Sequence, residues 1–174
     1  MTDSLIAVGV AAVMAERGRE EEKVENSWYQ RSLGVIDITD GPVGWINILK
    51  KDGSKNSPPR WWVVLGIPDE RPVPGHKTID IKTVRKKSFP LFGKVVDVRW
   101  KGDDAGTGLN DLFYYDEDVK IFAVHAGNLT VHSYNREELR GWTVQIDRRW
   151  NPTIRDWTGI QQMAKHILSS ARVL

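Results

Sequence analysis

From Gly34 to Asp147, short runs rich in Val, Ile, Trp, Tyr and Phe recur between clusters of turn-forming residues. This is the pattern of strands joined by tight connections. The spacing predicts strands over Gly34–Ile38, Val43–Lys50, Trp61–Gly66, Thr78–Val84 and Val95–Lys101. Further strands are expected over Leu112–Tyr115, Val119–His125, Leu129–Tyr134 and Trp142–Ile146. The separators Asp40-Gly41-Pro42, Asp52-Gly53-Ser54, Ser57-Pro58-Pro59 and Gly102-Asp103-Asp104 carry turn chemistry. Gly127-Asn128 suits a two-residue hairpin, in which Phe122, Val124, Leu129 and Val131 would share a core face. No helix-length periodic segment is read between these strands, which argues against a parallel α/β sheet. The expected fold is mainly β: an antiparallel bent barrel or sandwich with a C-terminal amphipathic helix and an N-terminal helical extension.

The two ends read differently from the middle. After Asn151, a candidate cap, and Pro152, residues Ile154, Trp157, Ile160, Ala164, Ile167, Leu168 and Ala171 fall in one arc at helical spacing. That helix is expected to lie on a sheet or across a barrel mouth. At the other end Leu5 to Ala15 is apolar on every side and is followed by a charged run from Glu16 to Lys23. A helix of eleven residues spans about 16 Å, half the thickness of a bilayer core. No Lys or Arg precedes it and Asp3 stands in its place, so it does not read as a secretory leader. We expect residues 1–31 to form a helical extension and residues 32–174 a β-barrel domain. Leu5, Val8 and Ala12 would then contact a protein partner or a second copy.

Composition narrows the classes. The 174 residues hold no cysteine, which excludes a disulfide framework, cysteine zinc sites and a thiol nucleophile. The net charge of +2 is too balanced to mark an obligate polyanion binder. Charge is nevertheless segregated. Residues 50–101 hold thirteen bases against five acids, and residues 102–138 hold eight acids against two bases. Eight tryptophans point to a Trp-bearing core or to aromatic contact surfaces. No apolar run is long enough to span a membrane, and the expected location is cytoplasmic or peripheral to a membrane.

Catalytic motifs are sparse. The histidines are His76, His125, His132 and His166. In the hairpin register above, His125 and His132 would share a face and could begin a metal site, but spacing identifies no third ligand. No metal or cofactor is assigned. The run Gly102 to Asp111 is rich in oxygen ligands and glycine, yet it lacks both the Asp/Asn alternation of a calcium loop and the third glycine of a dinucleotide turn. A long hairpin loop accounts for it. An enzyme, in the form of a metal-dependent hydrolase, is the weakest of the readings.

The basic and aromatic residues say more. Lys50, Lys51, Lys55 and Arg60 bracket one loop, and Trp61-Trp62 follows it, so alternation places one indole inward and its neighbour outward. Cations beside tryptophan suit phosphate groups, and an outward indole could also stack on single-stranded nucleic acid. The segments Gly44-Trp45-Ile46-Asn47-Ile48-Leu49-Lys50 and Arg60-Trp61-Trp62-Val63-Val64-Leu65, with Trp157 on the closing helix, resemble pleckstrin homology domains over residues 42–170. That resemblance implies a seven-stranded bent barrel closed by a helix, with inositol phosphates bound at Lys50, Lys51, Lys55 and Arg60. The long segments Pro68–Lys77 and Gly102–Asp111 and the extra strand at Gly34–Ile38 depart from that pattern. The leading expectation is a non-enzymatic binding or assembly module that docks an anionic lipid, inositol phosphate or partner through the basic hairpin, with nucleic acid a lesser alternative. A structural subunit anchored by its N-terminal helix is the rival.

Overall fold

The computed structural model describes residues 1–71, 79–89, 93–135 and 140–170, with backbone only for Tyr134 and Asn135. His76, Thr78 and Ala171 lie outside the described residues. Eight antiparallel strands form one sheet: β1 (Ala12–Met14), β2 (Arg31–Ile38), β3 (Trp45–Lys51), β4 (Arg60–Pro68), β5 (Asp80–Lys87), β6 (Val95–Asp103), β7 (Leu129–Asn135) and β8 (Arg140–Ile146). Their spatial order is β1-β2-β3-β4-β8-β7-β5-β6, so the sheet is open, with β1 and β6 at its edges. The protein is mainly β, with a C-terminal helix and a short N-terminal one, as the hydrophobic pattern predicts.

The helices are α1 (Thr2–Ala7), α2 (Leu109–Tyr115), α3 (Glu117–Ala126) and α4 (Ile154–Ser169). Two expected strands are therefore corrected. Leu112–Tyr115 lies on α2 and Val119–His125 on α3. Asp116 caps α3 by accepting the Val119 N–H at 3.0 Å, and Glu117 and Asp118 occupy its first turn, where negative charge is favoured. Val119, Phe122, Ala123 and Ala126 are the buried positions, which is helical and not strand spacing. The Gly127-Asn128 hairpin is accordingly replaced by a helix-to-strand turn.

The N-terminal apolar run is divided as well. A helix spanning Leu5–Ala15 does not form. The chain turns at Gly9, whose φ of +85° suits glycine, and β1 pairs with β2. Splitting the run lets each half bury one side: Leu5, Val10 and Ala12 enter the core while Ile6, Val13 and Met14 stay exposed. Two of the three side chains expected to touch a partner, Leu5 and Ala12, thus pack inside this chain, and Val8 is partly buried against the same core.

One face of the sheet carries the main core. Ile46, Leu65, Val144, Val131 and Ile81 run across it on neighbouring strands, beneath the helices. α3 and α4 pack closely because of Gly159, where an added Cβ would lie 2.5 Å from Phe122 Cβ and 2.6 Å from the Asp118 carbonyl oxygen. The cap of α4 is Thr153, not Asn151. Its hydroxyl accepts the Asp156 N–H, and Asp156 accepts the Thr153 N–H in return, completing a capping box. Trp157, Ile160, Met163, Ala164 and Ile167 are buried; Ile154 stays outside.

The opposite face is covered by a strap of chain from Ala15 to Val24. Val24 seats among Val35, Trp45, Leu49, Trp62 and Val64. Trp45 lies flat over Gly66, where any Cβ would collide with the indole. Asn47, fully buried, fastens the strap: its Nδ2 donates to the carbonyls of Glu21 at 2.9 Å and Val24 at 3.5 Å, and its Oδ1 accepts the Ser32 hydroxyl at 2.7 Å. Arg19 adds a bridge to both Asp37 oxygens at 2.6 and 2.7 Å.

Two outcomes are expected from this packing. Trp157→Ala should lower the unfolding free energy in urea by about 3–5 kcal/mol, the usual cost of deleting a buried indole. Asn47→Ala should cost about 1–3 kcal/mol, because it strands buried polar groups. It should also speed tryptic cleavage at Arg17, Arg19 and Lys23 relative to the rest of the chain. A strap that resists trypsin equally well in both proteins would show that Asn47 is not its fastening.

Candidate functional site

The β3–β4 hairpin carries the predicted basic residues, and its register decides what they can do together. Lys50 stands opposite Trp61, while Lys51 stands opposite Arg60. Paired residues in an antiparallel ladder share a face and successive ones alternate. Lys50 and Trp61 therefore project to the helix side, and Lys51, Arg60 and Trp62 to the strap side. The four cations do not converge on one pocket. The alternation expected for the tryptophan pair does hold: Trp62 is buried beneath the strap, and Trp61, on the helix side, is half-buried.

Each strand cation instead sits over a ring. Lys50 Nζ is 5.3 Å from the Trp61 ring centre, Lys51 Nζ 5.3 Å from that of Tyr29, and the Arg60 guanidinium 5.1 Å from that of Trp62. Two of these cations are also neutralised. Lys50 pairs with Asp52 at 2.8 Å and Arg60 with Asp147 at 3.2 Å. Arg31 and Lys50 together hold the Asp52 carboxyl at about 2, so it is ionised at any working pH. Among the described residues, Lys51 and Lys55 of this group have no carboxylate partner, and Lys55 stands exposed in the turn.

Sequence reasoning missed the residues that complete this end of the molecule. Trp28 is 94% exposed, the most exposed large apolar side chain described, and stands edge-on to Tyr29 at 5.5 Å. Tyr29 in turn lies under Lys51. Four residues separate Trp28-Tyr29 from the charged run, the pair stands outside any apolar stripe, and that isolation is the available signal. The result is a contiguous patch of Trp28, Tyr29 and Lys51, with Lys55 exposed in the turn that follows β3.

The three described histidines each face a carboxylate. His125 and His132, expected on adjacent strands, lie on α3 and β7 with separate partners. Among the described residues no three His, Asp or Glu side chains are grouped to hold a metal ion. His125 Nδ1 contacts both Asp156 oxygens at 2.7 and 2.8 Å, and His166 Nε2 contacts Asp116 at 2.7 Å. Each pair joins the last turn of one helix to the start of its neighbour, where the helix dipole favours the carboxylate. Burial works against the Asp116 carboxylate, yet the Val119 N–H and His166 outweigh it and hold its pKa below the ordinary range. The Gly102–Asp111 segment leads into α2. Its carboxylates accept backbone N–H groups, Asp103 from Ala105 and Asp104 from Gly106.

With this geometry in place, comparison with known proteins adds no name: no protein-family model, curated protein or solved structure matches the chain.

His132 yields a pH prediction. Its Nδ1 lies 3.0 Å from Glu25, just past the strap, and its Nε2 3.2 Å from Asp80. Glu25 chiefly raises its pKa, against the opposing effect of burial. A group whose folded pKa is raised contributes stability that is fully present below its unfolded value, about 6.5, and lost as pH rises through the folded value. His132→Gln should therefore lower the thermal midpoint near pH 6 and leave it unchanged near pH 9. An equal deficit at both values would mean that the ring acts by packing alone.

Proposed function

We propose that this protein is a non-enzymatic module that docks on an anionic membrane surface through the outer side of the β3–β4 hairpin. The observation that carries this reading is Trp28, almost wholly in solvent, set against Tyr29 with Lys51 over the tyrosine ring. Indole and phenol rings favour the headgroup level of a bilayer, because one edge is apolar and the other can hydrogen-bond. A Lys or Arg near an anionic leaflet adds about 1 kcal/mol each. Lys51 and Lys55 are the cations free to supply it. Lys50 and Arg60, committed to Asp52 and Asp147, would orient the hairpin instead. No described helix is long and apolar enough to cross a membrane, so attachment of this kind would be peripheral. The resemblance to pleckstrin homology strands favours the same anionic chemistry, with Lys51 and Lys55 as the residues that carry it over.

Flotation with phosphatidylserine vesicles tests the proposal, with phosphatidylcholine vesicles, inositol hexakisphosphate and a single-stranded oligonucleotide as the comparison arms. Binding should require phosphatidylserine, shift Trp emission to the blue and weaken steeply with salt. Trp28→Ala should abolish most of the emission shift. The double variant Lys51→Gln/Lys55→Gln should weaken binding about thirtyfold, from the loss of two such contributions, while Lys165→Gln on α4 should not alter it. Failure to bind phosphatidylserine at low salt, or tighter binding of the oligonucleotide than of vesicles, would overturn the reading.

A further inference from the structure

The helix side of the same hairpin borders a cleft of about 670 Å³, separate from the outer patch. It opens between α1, the inner face of β2–β4, the last turn of α3 and the connection from β8 to α4. Its floor is apolar, built by Leu33, Ile48 and Val63, and the Trp61 indole lies beside that floor. Cationic groups gather at the indole: the Arg149 guanidinium is 5.6 Å from the Trp61 ring centre and Lys50 Nζ is 5.3 Å from it.

Arg148 and Arg149 both line the cleft, and among the described residues neither meets a carboxylate. Positive charge is concentrated here beyond what the fold requires. Arg85, by contrast, is committed to the fold: it donates to the Ala123 and Val124 carbonyls at the end of α3, at 3.0 and 2.8 Å. Arg148 and Arg149, lining one cleft with no carboxylate partner among the described residues, leave room for an anion from outside the chain.

The third component is His125. Asp156 is buried and accepts from Thr153 N–H and Thr153 Oγ1–H, both at 2.9 Å, as well as contacting His125 Nδ1. A carboxylate that already receives these donors takes the Nδ1 proton as a further hydrogen bond, which leaves Nε2 as the uncommitted end of the ring. His125 is half exposed and lines the cleft. The wall therefore offers two guanidiniums, an imidazole nitrogen, an indole face and an apolar floor within one opening.

We propose that this cleft binds a small organic anion with a flat apolar body, an aryl or nucleoside phosphate or carboxylate. Its anionic group sits at Arg148 and Arg149, its ring lies between Trp61 and the Ile48–Val63 floor, and a polar substituent reaches His125. The volume suits such a ligand, since small-molecule sites of this kind occupy about 300–1,000 Å³. The charge of the two arginines selects an anion over a neutral ring, and the indole with its floor selects a ring over a bare anion.

Calorimetric titration of the full chain tests this with 1-naphthyl phosphate, 5′-AMP, inorganic phosphate and 1-naphthol. At least one of the two aryl-bearing phosphates should bind saturably, and inorganic phosphate and 1-naphthol should each bind at least about tenfold more weakly. Arg149→Gln should weaken the binding at least about tenfold with an unchanged thermal midpoint. Lys51→Gln/Lys55→Gln should leave it intact, which separates this site from the membrane-facing patch. Equal binding of inorganic phosphate, equal binding of 1-naphthol, no saturable binding of either aryl phosphate, or an Arg149→Gln protein that binds like the wild type would each overturn the proposal.

Discussion

The buried amide of Asn47 is the interaction on which the two-sided architecture depends. An open sheet of eight strands has two faces to cover, and the helices cover only one. On the other, Trp45, Trp62, Leu49 and Val64 would face water without the strap. The strap has little secondary structure to hold it, a single 3-10 turn at Glu20–Lys23. Its carbonyls at Glu21 and Val24 need donors when the chain is pressed against an apolar surface. Asn47 supplies them from the centre of the sheet, and Ser32 satisfies its remaining oxygen. A leucine there would fill the space and leave those carbonyls unpaired.

Much of this was legible in the order of residues, and the failures have physical causes. Strands β2, β3, β4, β6, β7 and β8 stand out in the sequence because β-branched and aromatic runs between turn residues have few other uses. The helix α4 was evident from its arc, though not its cap, because Asn151 and Thr153 are both good caps and only Thr153 has the acid three positions on. The short helix α3 looks like a strand in the sequence because Val119, Phe122 and Val124 have strand-like propensity, as Phe113, Tyr114 and Tyr115 do on α2. The Asp116-Glu117-Asp118 start and the i, i+3, i+7 spacing of Val119, Phe122 and Ala126 outweighed that propensity once α4 was there to pack against. The patch and the cleft were only half legible. Lys51 and Lys55 stand out in sequence, but Trp28, Arg149 and His125 come from distant segments that only the fold brings to the hairpin.

The hairpin also shows how a basic stretch becomes two different surfaces. Lys50 and Lys51 are neighbours in the chain and point to opposite faces, so one lends charge to the cleft and the other to the outer patch. Acids then trim each surface: Asp52 takes Lys50 and Arg31, and Asp147 takes Arg60. The positive charge of the hairpin is thus divided between two faces and partly neutralised on each.

The ladder between β4 and β8 has a kinetic consequence. It pairs Val63 with Ile146 and Pro68 with Gly141, and the Arg60–Asp147 bridge beside it joins residues 87 positions apart. The strands β1 to β4 form a meander of near neighbours, whereas this seam must wait for the intervening chain to fold back and for its loop-closure entropy to be met. Arg60 and Trp61 belong to the early half, and Arg148, Arg149 and Trp150 to the late half. The walls of the cleft therefore meet only when the seam closes, a long-range step that topology slows. A molecule held in that cleft would act on the unfolding rate, bracing the junction whose rupture separates the two halves of the sheet.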